Sequence, residues 1–284
     1  METSGADPVK GSGASELSAR VSERVSARVS ERVSERAPEG MAGLAKGLAV
    51  IEAFGGASSQ LTVSEAAELT NVTRAAARRC LLTLAELGYL SHDGKHFRPT
   101  PRMLRLGGAY LDTAPLPALA QPHLIAARDQ LGESVSLAVW QDGWSLFVAR
   151  AEAQRLVATG VRIGARLPAH CSATGKVLLA GLPEAELAAF LAAGGWPRRT
   201  AHTLVTTGAV ADAVREAAES GFAISDEELE LGMRALAVPV WDARGRTVAA
   251  MSVSTSTARV TAGELRDHFR PILAERATLL GKNL

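Results

Sequence analysis

Several places in this sequence carry side chains able to do chemistry. Arg74, Arg78 and Arg79 crowd three guanidinium groups into one short stretch. Each is a planar fork of donors that suits phosphate oxygens and guanine edges. Arg74 and Arg78 stand four apart, so on a helix they share a face, with Arg79 beside it. Ser252 and Ser254 stand two apart within Met251-Ser-Val-Ser-Thr. On a strand both hydroxyls share one face, and Met251 and Val253 take the other. Such a pair fits either hydrogen bonding to a small polar ligand or an exposed polar sheet face.

Three further clusters invite stronger readings. His170-Cys171 places a base next to a thiol, the raw material of nucleophilic catalysis. Adjacent residues rarely aim at each other, however, and no orienting carboxylate is placed by spacing, so an enzyme using His170 and Cys171 is kept only as the alternative. Gly175-Lys176 is not a phosphate-binding loop, because position 170 is His rather than Gly and Val177 replaces the required hydroxyl residue. The stretch 166–176 reads instead as a loop feeding a helix near Ser172, whose free backbone N–H groups would suit an anion. The segment 225–232 holds Asp226, Glu227, Glu228 and Glu230. No His or Cys accompanies them locally, so a solvated turn or helix start before a strand is favoured over a metal site, and neither a metal nor a cofactor is expected.

The arginines need a rigid frame, and residues 41–102 supply one. Leu44, Leu48, Ile51 and Phe54 recur at helical spacing, and Gly55-Gly56 ends that helix. Thr62-Val-Ser-Glu65 is a capping-box pattern opening a short second helix. Asn71-Val72 turns the chain, and a third helix runs over about 73–87. Its Ala77, Cys80, Leu81, Leu84 and Leu87 form the packing face, while the arginines occupy the first turns. A recognition helix needs this division, with its N-terminal end in the major groove and its remainder in the core. After Gly88, two extended runs flank Asp93-Gly94, a hairpin signal. A cationic hairpin following such a helix is a wing. This frame assigns DNA contact to Thr73, Arg74, Arg78 and Arg79 on the helix, and to Lys95 and Arg98 on the wing.

Charge follows the same division. The chain has 31 basic and 30 acidic residues, a net charge of +1 that excludes a globally polycationic binder. Residues 41–105 carry 8 basic against 5 acidic groups, whereas 106–284 carry 17 against 18. The small segment is therefore the basic one, as expected for a DNA-binding head on a neutral body. Residues 1–40 repeat a four-residue unit of the VSER type and read as a low-complexity tail or as a helix formed on contact with DNA or a partner. Two cysteines form no CxxC, which disfavours a disulfide framework or a zinc ribbon. With no long apolar run and no secretory signal, a cytoplasmic protein without membrane contact is expected.

The body starts after a linker helix at about 103–114, with Pro115 and Pro117 breaking the chain before residues 115–284. Hairpins are expected at 134–150 and 235–256. Helices are expected at about 118–131, 172–181, 183–193, 208–220 and 261–280. Hairpins mixed with helices give an α+β domain with a mainly antiparallel sheet.

Several stretches together carry a family likeness: Lys46-Gly-Leu-Ala-Val-Ile-Glu-Ala-Phe54, the run from Thr73 to Tyr89, Leu167-Pro-Ala-His-Cys-Ser-Ala-Thr-Gly-Lys-Val-Leu-Leu-Ala180, Asp226-Glu-Glu-Leu-Glu-Leu-Gly-Met-Arg234 and Val238-Pro-Val. Over about residues 42–282 the chain resembles the IclR family of bacterial transcription regulators. Thr73 to Arg79, Tyr110-Leu and Pro115-Leu-Pro-Ala-Leu-Ala-Gln-Pro122 look most like the PcaR, PcaU and PobR branch, which controls breakdown of protocatechuate and 4-hydroxybenzoate through the β-ketoadipate route. The resemblance implies a winged helix-turn-helix joined by a linker helix to a GAF-like effector-binding domain. It implies homodimers or tetramers on palindromic double-stranded DNA sites, responding to a small, aromatic organic acid. It places the effector pocket on Leu156, Thr159, Leu167, Ala173, Thr174, Ser225, Met233, Ala235, Ser252 and Ser254. Ser225 stands where some relatives have Asp, and Ala235 where some have Cys, which makes the pocket less acidic and suits a carboxylate.

Overall fold

A computed structural model describes residues 41–55, 59–154 and 161–284. The repeated tail and Gly56 lie outside the described residues. The chain divides into two compact units, Met1–Asp112 and Thr113–Leu284.

The first unit is a winged trihelical domain. Helix α1 spans Ala42–Glu52 and passes into a 3-10 turn at Ala53–Gly55. Helix α2, Val63–Thr70, opens on a complete capping box. The Thr62 hydroxyl accepts from the Glu65 amide, and the Glu65 carboxylate accepts from the Thr62 amide at 2.7 Å. Asn71 closes α2 in the left-handed region (φ 50°), a conformation its short polar side chain tolerates. Helix α3, Arg74–Glu86, starts with Thr73 accepting from the Ala76 amide. Strands β1 (Leu90–His92) and β2 (Phe97–Pro99) pair antiparallel around the Asp93-Gly94 turn. Leu61 exchanges backbone hydrogen bonds with Phe97 and so ties the wing to the start of α2. Val50, Leu61, Ala66, Ala77, Leu81, Leu84, Leu90 and Phe97 form the core.

Two details of this unit differ from the spacing argument. The buried residue of α1 is Val50, while Leu44 and Leu48 stay exposed. On α3, Leu87 is exposed, because the helix ends at Glu86 and the packing face stops at Leu84, whereas the half-buried Cys80 does pack against the core. A 3-10 turn at Pro101–Met103 leads into α4, Leu104–Thr113, none of whose residues is buried.

The second unit is built on six antiparallel strands in the order β5-β4-β3-β8-β7-β6. These are β3 (Val135–Gln141), β4 (Trp144–Ala151), β5 (Arg166–Pro168), β6 (Ala223–Asp226), β7 (Met233–Trp241) and β8 (Thr247–Ser256). Asp142 and Gly143 both have positive φ, as a two-residue hairpin turn matching the sheet's twist requires. Helix α5 (Pro115–Leu131) packs on one face of the sheet. On that face too lies the C-terminal helical run α9 (Ala262–Glu264), a π-helical turn Leu265–Phe269 and α10 (Arg270–Gly281). The core between them includes Leu124, Leu137, Leu236, Met251, Val253, Leu273 and Leu280. Buried helix α6 (Ala173–Ala180) and helix α8 (Thr207–Ser220) cover the other face, with α7 (Glu184–Ala193) beside them.

Pro115 does not break the chain. It sits at the first position of α5, where its fixed φ is favourable and its missing N–H is not needed. Residues 166–168 form an edge strand rather than a loop, and Ser225 and Asp226 end β6 rather than lying in a turn. The expected last helix is interrupted by the π-helical turn. Pro239 lies within β7, yet the β6 register stops at the pair Ala223–Ala237, so Pro239 stands beyond the end of its neighbour. There its lack of an N–H costs no ladder bond with β6.

Candidate DNA interface and ligand cleft

On the first unit, Thr73, Arg74, Arg78 and Arg79 are all exposed at the start of α3. Among the described residues no carboxylate pairs with these arginines, so their charge is offered to solvent. The buried Ala76 and Ala77 lie between them and fix the helix against the core. Thr73 is occupied as the N-cap. In the wing, Asp93 collects the amides of Lys95 and His96 and the guanidinium of Arg98 at 2.8 Å. These donors hold its carboxyl far below the usual range. Arg98 is therefore shared with Asp93, whereas the exposed Lys95 ammonium is left to meet an outside anion.

On the second unit, Leu167, Ala173, Thr174, Ser225, Met233, Ala235, Ser252 and Ser254 all line one cleft. The sheet register explains the convergence: Ser225 pairs with Ala235, and Ala235 with Ser254. Alternation along β8 then turns Ser252 and Ser254 to the α6 side, while Met251 and Val253 enter the opposite core. Leu156 and Thr159 lie outside the described residues. As it stands the cleft leaves about 20 Å³ of free volume, enough for about one water, within an opening of about 380 Å³ shared with solvent. Phe147, Val161, Ser172 and Leu229 also line it. Of these four, Ser172 carried a readable signal, a Ser at the entry of an apolar helix.

Among the described residues, the polar chemistry of the cleft is hydroxyl and backbone. Ser172 caps α6, accepting from the Gly175 amide and donating to the Pro168 carbonyl at 2.8 Å. Ser225 donates to the Cys171 carbonyl at 2.9 Å, which straps β6 to the turn before α6. The Thr174 hydroxyl is buried and has no partner among the described residues. Among the described residues, no ionised side chain lines the cleft. What faces a ligand is the start of a buried helix, where unpaired N–H groups and the helix dipole favour an anion, beside apolar walls that suit a ring.

Gly175 makes this arrangement possible. A Cβ there would lie 2.2 Å from the Ala169 Cα and 2.3 Å from its carbonyl oxygen. Only glycine lets the first turn of α6 lie against the 3-10 turn Ala169–Cys171.

The His170–Cys171 alternative fails on geometry. The thiol is fully buried, points toward the Pro168 carbonyl at 3.9 Å, and is pushed by that burial up to about 12. The imidazole stacks on Trp196 with its Nε2 facing the Pro197 carbonyl, and desolvation lowers it to about 4. A thiol held protonated by burial and turned to the Pro168 carbonyl, beside a ring turned to the Pro197 carbonyl, is no activated nucleophile with its base. The acidic segment also departs from expectation. Glu228 is buried against Lys176 rather than solvated, because α6 brings a cation to it from 52 residues away.

Residues 43–94 match the IclR helix-turn-helix domain, and residues 108–280 match the bacterial transcriptional regulator IclR C-terminal domain. The chain is 40% identical over 237 residues to the Pca regulon regulatory protein of Pseudomonas putida, covering 83% of this chain and 81% of that one. It is 38% identical over 245 residues to the p-hydroxybenzoate hydroxylase transcriptional activator of Acinetobacter baylyi, covering 84% and 90%. A crystal structure from Rhodococcus sp. RHA1, ascribed to a transcriptional regulator, superposes with a TM-score of 0.74 at 40% identity, over 86% of this chain and 98% of the other. The inducer-binding domain of a double mutant of Acinetobacter PobR, in complex with 3-hydroxybenzoic acid, gives a TM-score of 0.57 at 32% identity over 60% of this chain and 99% of the other. With both units matched and such relatives spanning most of its length, this chain belongs to the IclR family of bacterial transcriptional regulators.

Proposed function

We propose that this regulator reads a palindromic promoter site with the start of α3 in the major groove and its wing on the phosphates, and that it responds to a small aromatic carboxylate in the cleft of the second unit. Arg74, Arg78 and Arg79 serve base edges and phosphates, Lys95 and Arg98 serve phosphates, and Thr73 holds the helix start. Leu156 and Thr159 are proposed to join the twelve described lining residues around the ligand. The observation that carries the reading is the convergence of Ser252, Ser254, Ser225 and Thr174 with the start of α6 on one cleft. A carboxylate fits the helix start, a ring fits Phe147, Leu167 and Met233, and ring hydroxyls find the serines. Relatives named for Pca genes and p-hydroxybenzoate hydroxylase point to aromatic-acid catabolism, with protocatechuate and 4-hydroxybenzoate as first choices.

The regulator works in the cytoplasm, on DNA, and the effector leaves it unchanged. It acts as a homodimer or tetramer. In support, Leu44 and Leu48 on α1, and Leu104, Leu106, Tyr110 and Leu111 on α4, are exposed apolar side chains that a second copy would cover. The DNA-binding head runs through residue 102, the linker helix covers 103–114, and the effector body begins at 115. The test is a gel-shift titration against the protein's own upstream region, with and without protocatechuate or 4-hydroxybenzoate. A specific shift whose midpoint moves with one of these acids is expected. Absence of a specific shift overturns the DNA reading, and indifference to both acids overturns the effector assignment.

A further inference from the structure

Lys176 and Glu228 form an ion pair that the cleft does not touch and that stability alone does not explain. Both side chains are almost wholly buried, and the Lys176 Nζ lies 2.5 Å from the Glu228 Oε1. Burying two charges costs more desolvation than an apolar pair of the same shape, so such pairs are weak contributors to stability. Glu228 is also under-satisfied, since its Oε2 is buried without a partner among the described residues. The best-attested use of such a pair is to fix a register.

What it fixes here can be read from the connections. Lys176 lies in the first turns of α6, its amide bonded to the Ser172 carbonyl, and its Nζ also donates to the Ile224 carbonyl at 3.1 Å. Glu228 lies in the segment between β6 and β7, directly before Leu229, which lines the cleft. The same segment is held from another side. The Thr200 hydroxyl donates to the Glu227 carbonyl at 2.6 Å, and the Thr203 hydroxyl to the Glu228 carbonyl at 2.7 Å. Glu227 itself has positive φ, a conformation a free loop would leave.

Resting on the effector reading above, we propose that Lys176 and Glu228 are positioning residues for the cleft. Their pair fixes the distance between the start of α6 and Leu229, and thereby the size of aromatic carboxylate that the cleft accepts. Neither residue touches the ligand.

The test uses the full chain, with 4-hydroxybenzoate and the bulkier 4-hydroxy-3-methoxybenzoate as probes. Affinities are measured by calorimetry, melting by fluorescence, and mobility by hydrogen exchange of residues 226–232. The double variant Lys176→Met/Glu228→Leu, with an apolar pair of similar volume, is expected to melt like the parent. It should bind 4-hydroxybenzoate about tenfold more weakly, lose less for the bulkier acid, and exchange faster at 226–232. Glu228→Gln keeps an acceptor for Lys176 and should hold affinity within about threefold, whereas Glu228→Ala should not. That contrast decides the matter should the double variant melt early. If the parent binds 4-hydroxybenzoate and the Ala and double variants bind both acids in the parent's ratio, with exchange at 226–232 unchanged, the inference is overturned and the effector reading stands. If the parent binds neither acid, the effector reading falls and takes the inference with it.

Discussion

Replacing Gly175 by alanine puts two physical effects into opposition. In a free helix the change is favourable, because alanine exceeds glycine in helix propensity by about 1 kcal/mol. In α6 the added methyl would meet the Ala169 Cα at 2.2 Å and its carbonyl oxygen at 2.3 Å. Carbon atoms in ordinary contact stand about 3.5–4.0 Å apart, so the start of α6 must retreat by more than about 1 Å. Both neighbours are backbone atoms of a buried 3-10 turn and have no side-chain freedom with which to yield. Overpacking of this kind costs about 1–3 kcal/mol, occasionally more, and the clash outweighs propensity. A net loss of about 1 kcal/mol, up to about 2, is expected, together with a fall of about tenfold in affinity for the effector, since Ser172, Ala173 and Thr174 move with the helix start. Trp140, Trp144, Trp196 and Trp241 all belong to the second unit, so tryptophan fluorescence during urea unfolding reports that unit. Operator binding without effector, read by gel shift, should change little. A midpoint that is unchanged or raised, as propensity alone predicts, would refute the close approach of α6 to Ala169 and with it this account of the cleft.

Other perturbations separate the remaining parts. Arg78→Ala should weaken operator binding by about 1–3 kcal/mol relative to nonspecific DNA if the guanidinium reads a base edge, and equal losses on both would move Arg78 to the backbone. Lys95→Ala should lower the slope of log K against log salt by about one, and an unchanged slope removes the wing tip from the phosphates. Replacing Ser252 and Ser254 together by alanine should blunt the effector dose response while leaving effector-free operator binding intact, so an unaltered response would put the ligand elsewhere. His170 contributes a pH dependence of known sign. Folding holds the imidazole neutral down to about 4, whereas the unfolded chain protonates near 6.5. Between these values the unfolded state binds the extra proton, so stability is full above pH 6.5 and falls as pH drops toward 4, by about 3 kcal/mol at most. His170→Gln should flatten that limb of the pH–stability curve, and a variant with the parent's slope would show that other groups carry it.

The first unit was legible because its signals are local. The capping box of Thr62 and Glu65, the Asp93-Gly94 turn and the four-residue spacing of Arg74 and Arg78 each act within a few residues. The buried side of α1 was not legible. Leu44, Leu48 and Val50 are all apolar, and only the helices packed on α1 select Val50. In the second unit, alternation disclosed the faces of Ser252 and Ser254, but β5 is too short to show a period and β6 ends in polar residues. The burial of Glu228 depends on a lysine 52 residues away, which no local pattern carries. Phe147 and Leu229 reach the cleft through strand order and loop path, and both are settled only by tertiary pairing.

The two flanks of the six-stranded sheet bear on how copies of this protein avoid sticking to one another. One flank ends in the three-residue β5, the other in the four-residue β6, and above β6 the bared stretch of β7 contains Pro239. On the β6 side, the imino acid interrupts the stretch of β7 that β6 leaves uncovered and removes a donor from it. Growth of the sheet from molecule to molecule, the first step toward amyloid-like aggregates, is thereby discouraged at that rim.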